Sequence, residues 1–289
     1  MYIENDIGPR PLLADPTAAT RQTFAKSQLQ ESSRDLEDHI STSIDTISLL
    51  SSRTIFADYA IVHALQNWSA ATTSQMLWIM GASERLYPSA SSFLAASIVN
   101  SSDDLNIPLL QLFCDWPGKA EEKALINMIY SLIRQLIEIL PSSIESPANL
   151  SPARFQALDG SVKTWDKALS IVLELLNEAP PLLLVVIDGI EHLDYLDIGE
   201  QYTKSLLQLL QSHLRRVKDE GENKKTFKVL FTTAGNCAGL NGLDDGLLEI
   251  VKVTERSAKH RPGKSEPGMA EVLGLDGRTY GEEGSSGEV

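Results

Sequence analysis

Leu182-Leu183-Leu184-Val185-Val186-Ile187-Asp188-Gly189-Ile190-Glu191 is the stretch on which the reading of the fold turns. An unbroken apolar run over 182–187 ends in an acid and a glycine. It is far too short to cross a bilayer, which takes about 20 residues. With no polar alternate positions it reads as a strand buried on both faces, as in a parallel sheet covered on two sides. Similar runs lie outward from it at 76–80, 109–113 and 227–232, with a weaker one at 248–253. Between them stand amphipathic patterns at 89–100, 120–140, 163–178 and 200–218. In the second, Leu125, Ile126, Ile129, Leu132, Ile133, Leu136, Ile137 and Leu140 make a broad apolar stripe at helical spacing. The alternation predicts an α/β domain, a three-layer parallel sheet of about five strands, over residues 55–254.

The flanks have a different composition. Residues 1–16 carry Pro9, Pro11 and Pro16 without periodicity and read as a flexible leader. Residues 17–54 read as a helical extension, with Leu29, Leu36, Ile40, Ile44, Ile47 and Leu50 on one face. That face is open to two partners, the main domain or a second chain. A further helix over 55–68 is expected to present Ile55, Tyr59, Val62 and Leu65. Residues 257–289 hold seven of the 18 glycines and almost no apolar periodicity, so 255–289 is expected to be a disordered tail.

Composition narrows the function classes. The chain has 289 residues, with 25 Lys+Arg against 39 Asp+Glu, a formal charge of −14. DNA and anionic membranes attract proteins through Lys and Arg, so this balance speaks against nucleic-acid and membrane-surface partners and leaves a protein partner. Residues 255–289 contain five Lys+Arg and seven Asp+Glu, so only −2 belongs to the tail and −12 to residues 1–254. Hydrophobic and charged fractions of 43% and 22% are ordinary for a globular core. Cys114 and Cys237 form no disulfide framework, and the five His residues stand at no metal-ligand spacing. Met1 to Asp6 is acidic with no apolar core behind it, so no secretory signal is expected and the expected location is cytoplasmic.

Three predicted strand ends carry chemistry. The first runs Ile79-Met80-Gly81-Ala82-Ser83-Glu84-Arg85-Leu86-Tyr87-Pro88-Ser89, a strand that meets a glycine and turns into a helix. The second is Ile187-Asp188-Gly189-Ile190-Glu191, and the third Phe231-Thr232-Thr233-Ala234-Gly235-Asn236. In order, spacing and type they resemble a P-loop NTPase: Walker A, Walker B, then a polar sensor strand. With Trp68 and the run ending in Phe113-Cys114, the set resembles the fungal STAND or NACHT-like NTPases in which Walker A has degenerated. Counted from Gly81, the second glycine, the lysine and the Mg²⁺-binding hydroxyl of G-x-x-x-x-G-K-[ST] fall on Leu86, Tyr87 and Pro88.

The resemblance implies a nucleotide site formed by Gly81, Ala82, Ser83, Arg85, Ser89, Thr233 and Asn236. It implies Asp188 as the Mg²⁺ acid and Glu191 as the catalytic base, with His192 where relatives often have another acid. ATP and Mg²⁺ are the cofactors this would take. Three readings follow: a degenerate domain acting as a regulatory or protein-interaction module, an active ATP or GTP switch with Arg85 in place of the lysine, and a structural adaptor that pairs through the N-terminal helix. Asp194 and Asp197 are expected in a solvated turn, Pro88 in the first turn of the following helix, and Arg215, Arg216, Lys218, Lys224, Lys225 and Lys228 as a solvated basic patch.

Overall fold

The computed structural model describes residues 21–41, 59–83, 88–115, 120–194, 198–220, 225–244 and 246–253. The expected leader, the tail beyond 253, and Ile44, Ile47, Leu50 and Ile55 lie outside these residues.

Five strands form a parallel sheet: β2 (Gln75–Gly81), β3 (Leu109–Phe113), β5 (Leu182–Asp188), β6 (Thr226–Ala234) and β7 (Leu248–Lys252). Their order is β3-β5-β6-β2-β7. Each corresponds to one of the apolar runs. Pairing sets Asp188 opposite Thr232 and Gly81 opposite Ala234. Because successive side chains alternate, Leu183, Val185 and Ile187 enter one core while Leu184 and Val186 enter the other.

The first core is covered by α4 (Glu121–Ile139), α6 (Trp165–Glu178) and α8 (Gly199–Asp219), which contribute Ile129, Ile133, Leu175, Leu207 and Leu214. The second is covered by α2 (Tyr59–Ala70) and α3 (Ala90–Asp104), through Leu65, Trp68, Leu94 and Ile98. Helices on both faces make this the expected three-layer α/β domain with a five-stranded parallel sheet.

The register of α2 differs from expectation. Its buried residues are Ile61, Ala64, Leu65 and Trp68, while Tyr59 is 80% exposed. Two apolar stripes share Leu65, and the one containing Trp68 buries the larger side chain.

The N-terminal extension is not one helix. Over its described residues, 21–41, it runs through β1 (Gln22–Ala25), α1 (Lys26–Ser32) and a 3₁₀ segment over Arg34–His39. β1 pairs antiparallel with β4 (Ser143–Ser146), a two-stranded sheet that the apolar pattern does not signal. The Ser32 and Ser33 hydroxyls donate to the carbonyls of Gln28 and Leu29, each at 2.7 Å. Such back-bonding competes with the helix ladder and explains the break at Ser33. Leu29 and Leu36 are buried in the first core. Arg134 of α4 donates to Gln30 O at 2.9 Å and to Ser33 Oγ at 2.6 Å, and its guanidinium pairs with Glu37. This part of the stripe is therefore turned into the domain's own core, not toward a second chain.

Three smaller helices, α5 (Pro152–Gln156), α7 (Glu191–Asp194) and α9 (Ala238–Asn241), and a 3₁₀ segment over Val162–Thr164 complete the described chain. Among the described residues no helix is long and apolar enough to cross a membrane.

The basic patch also departs from expectation at one position. Lys228 is buried at the start of β6, and its ammonium donates to Trp68 O at 2.6 Å and Ser69 O at 2.8 Å. The cation thereby satisfies carbonyls at the C-terminus of α2, where helix carbonyls lack partners within the helix.

Candidate functional site

Parallel strands bring all their C-terminal ends to one edge. β6 lies between β5 and β2, so the three chemistry-bearing strand ends are immediate neighbours there. The chain leaving β2 next forms β3 at one edge of the sheet, and the chain leaving β6 next forms β7 at the other. Adjacent strands whose connections diverge in this way leave a crevice outside their carboxyl ends, the usual place for a ligand in such sheets.

On the β2 side, Gly81 allows close approach of the next helix. A Cβ at Gly81 would lie 2.3 Å from Ser91 Oγ and 2.9 Å from Thr233 O. The Ser91 hydroxyl donates to that Thr233 carbonyl at 3.1 Å, tying α3 to β6. Ser89 is the N-cap of α3: its hydroxyl accepts the Ser92 N–H at 3.2 Å, and Ser92 Oγ accepts the Ser89 N–H at 3.1 Å. This capping box commits the Ser89 hydroxyl to the helix end. Pro88 stands just before the N-cap, not within the first turn. Ala82 and Ser83 follow Gly81, and Ser83 packs beside Gly235, whose φ of +104° suits glycine. Arg85 lies outside the described residues.

On the other side, three acids grip the outgoing end of β6. Asp188, 1% exposed, accepts the Thr232 hydroxyl on Oδ1 at 2.7 Å. Glu191 Oε1 accepts the Ala234 N–H at 2.6 Å. Asp194 Oδ2 accepts the N–H groups of Ala238 at 2.7 Å and Gly239 at 3.1 Å, and Oδ1 accepts the Thr203 hydroxyl at 3.3 Å. The expected solvated turn is thus a buried anchor at Asp194. A three-residue spacing turns the acids successively along one side of a short helical path, matching successive positions of the partner chain.

The electrostatics follow from this burial. Burial pushes the Glu191 carboxyl up to about 7, and the negative neighbours Asp188 and Asp194 add to the effect, against the Ala234 N–H, which lowers it. Glu191 Oε2 is buried with no hydrogen-bond partner among the described residues. Burial also holds His192 below the ordinary imidazole range, with its Nε2 4.0 Å from Glu191 Oε1. Cys237 is pushed up to about 12 by burial, and burial raises the Cys114 thiol still further, so both stay protonated at neutral pH.

The remaining sensor positions are engaged within the fold. Thr233 Oγ1 accepts the Trp78 indole N–H at 2.9 Å and donates to Gly235 O at 2.7 Å. Asn236 Oδ1 accepts the Asn241 amide at 2.8 Å. The structure therefore brings Gly81, Ser83, Ser89, Asp188, Glu191, Thr233 and Asn236 to one edge of the sheet. It also adds Trp78 and Asp194, which the motif reading passed over, and commits Ser91, an alternative to Ser89 as the loop hydroxyl, to the Thr233 carbonyl. The three-residue spacing of Asp188, Glu191 and Asp194 was the available signal for Asp194.

The model of the family described as "Nephrocystin 3, N-terminal" matches residues 61–233, which take in α2, β2, β3, β5 and nearly all of β6. No curated protein matches the chain. Among solved structures, the chain is similar to a Drosophila ORC bound to AT-rich DNA and Cdc6, at 12% identity and a TM-score of 0.33. It is similar also to a Drosophila ORC bound to poly(dA/dT) DNA and Cdc6, at 13% identity and a TM-score of 0.34. Both alignments cover 95% of this chain and 38% of the other, so the chain spans well under half the length of those proteins.

Proposed function

The chain belongs to the Nephrocystin 3 N-terminal family, whose model matches 61–233 of its 289 residues, and on that premise we propose that it is a regulatory or protein-interaction module built on a P-loop NTPase-type domain without efficient nucleotide hydrolysis. One observation carries this reading: the groups a magnesium nucleotide would need are engaged by the protein itself. Asp188, Glu191 and Asp194 accept hydrogen bonds from β6 and the segment after it, and the Ser89 hydroxyl caps α3.

The donor set fits Mg²⁺ and a triphosphate poorly. The phosphate-loop positions for the lysine and the hydroxyl hold Tyr87 and Pro88. Each missing charge-assisted contact is worth about 1.5–3 kcal/mol, and about 1.4 kcal/mol is a factor of ten in affinity. Losing two costs several powers of ten. In this reading Gly81, Ala82, Ser83, Arg85, Ser89, Thr233 and Asn236 remain as the frame of the former phosphate site. Asp188 and Glu191 act as clasps on β6.

A second reading rests on Glu191. A carboxyl near 7 has the basicity that suits a general base at neutral pH, which favours a working switch with Asp188 as the metal acid. Titration with a fluorescent ATP analogue, with and without Mg²⁺, separates the two on the wild-type chain and on Asp188→Asn, with circular dichroism to verify folding. The module reading expects no Mg²⁺-dependent binding at micromolar concentrations. Such binding, lost in Asp188→Asn, would establish the switch instead.

A further inference from the structure

Among the described residues β3 is an edge strand, with β5 on one side and no strand on the other. Along such a strand alternate residues turn their N–H and C=O groups to opposite sides. The Leu184 N–H donates to Pro108 O and the Cys114 N–H donates to Asp188 O, so the even-numbered residues of this segment face β5. Leu109, Gln111 and Phe113 therefore turn their backbone groups outward.

At Gln111 both outward groups are met by one side chain. The Gln111 N–H donates to Gln135 Oε1 at 2.7 Å, and Gln135 Nε2 donates to Gln111 O at 2.9 Å. A primary amide on α4 thus makes the same pair of bonds that the N–H and C=O of one residue in an added antiparallel strand would make. Among the described residues, no hydrogen bond reaches the outward N–H or C=O of Leu109 or Phe113. Gln111 Oε1 is also buried there without a partner.

These groups line a cleft of about 1100 Å³ between β3 and α4. Leu109, Phe113, Ala124 and Met128 supply apolar surface, and Ile40 stands at the end of the 3₁₀ segment. Lys123 and Arg134 stand against Glu37, Asp115 and Glu138 around the cleft, two cations against three acids, so the cleft has no strong preference for a charged occupant. Ala124, Met128, Ser131 and Gln135 of α4 close it along one side.

We propose that the β3 edge is a strand-accepting site for an extended, uncharged peptide segment of another protein, with the Gln135 amide as the displaceable occupant of its central rung. From Leu109 to Phe113 the strand spans about 13 Å at about 3.3 Å per residue, so the peptide pairs over about five residues. Only alternate peptide amides face β3, and its side chains alternate between the two walls of the cleft.

Short random peptides displayed on phage, selected on the folded chain, supply the probe; an enriched sequence is then synthesised with a fluorescein label and titrated by anisotropy. Gln135→Ala is expected to bind it about tenfold tighter, because the competing amide is gone. N-methylation of the peptide at alternate positions abolishes binding, and at the intervening positions leaves it unchanged. Gln135→Met serves as a second placeholder-free variant if Gln135→Ala melts early. No enrichment over an uncoated surface, an N-methyl profile without the two-residue period, or unchanged affinity in a folded Gln135 variant overturns the proposal.

Discussion

The Asp194 carboxylate accepts the backbone N–H of Ala238 at 2.7 Å across 44 residues of sequence. The same oxygen accepts the Gly239 N–H, so Asp194 satisfies the first amides of α9 from a different element. Cys237, which stands in the N-cap position, offers no side-chain cap of its own. A charged acceptor at a helix N-terminus is favourable both as a hydrogen-bond partner and through the helix dipole.

Asp194→Ala is therefore expected to destabilise the chain by about 3 kcal/mol, since it leaves buried amides without their acceptor. Asp194→Asn keeps an acceptor oxygen without the charge and should lose about half as much. Urea denaturation followed by tryptophan fluorescence measures both. Equal stability of the alanine variant and wild type would remove Asp194 from its structural role.

Glu191 makes stability depend on pH. Its folded value of about 7 lies above the ordinary 4.5, so the folded chain holds a proton that the unfolded chain has already released. Stability from this group is fully present below pH 4.5 and falls as pH rises through about 7. Glu191→Gln keeps an acceptor for the Ala234 N–H and removes the titration. At pH 8 the variant is expected to be more stable than wild type by about 2 kcal/mol, with the advantage vanishing toward pH 5. Thermal melts across that range check the sign, and a pH-independent difference would contradict it.

Gly189 is at φ +74°, and a Cβ there would lie 2.4 Å from the Cys114 carbonyl oxygen. Left-handed backbone and a clash with main chain act together, so Gly189→Ala is expected to cost about 3 kcal/mol or more. Gly242 has φ −84°, and its nearest neighbour to an added Cβ is at 3.5 Å, so Gly242→Ala is the matched control with little loss. Chemical denaturation of the pair reads the difference directly.

How far the primary structure is informative differs from element to element. The five apolar runs appear as the five strands of the parallel sheet, most plainly β5 and β6, because a strand buried on both faces leaves few polar alternate positions to obscure it, whereas β7, with Glu249 and Lys252 exposed, gives the weaker signal. The helix over 120–140 is equally plain, since its stripe repeats through several turns. α2 was misphased because two stripes share Leu65, and only packing against the sheet selects the one with Trp68. β1 and β4 are short, with alternate positions exposed, and exist as a pair only because residues 22–25 and 143–146 meet.

The candidate site shows the same division. By itself the amino-acid sequence determined the layered α/β class, the order of the three strand ends, and which residue types follow Gly81, because these are properties of local residue type and spacing. Only the tertiary structure decided which groups the acids bond. Asp188, Glu191 and Asp194 could have faced a ligand or water. Setting β6 between β5 and β2 brings Thr232, Ala234 and Ala238 within hydrogen-bond reach, and burial then makes those bonds obligatory. Lys228 follows the same rule: a basic run predicts a solvated cation, yet the fold places this one against the carbonyls that end α2. Partnership between residues far apart in the chain is a property of strand order, and strand order is settled by packing.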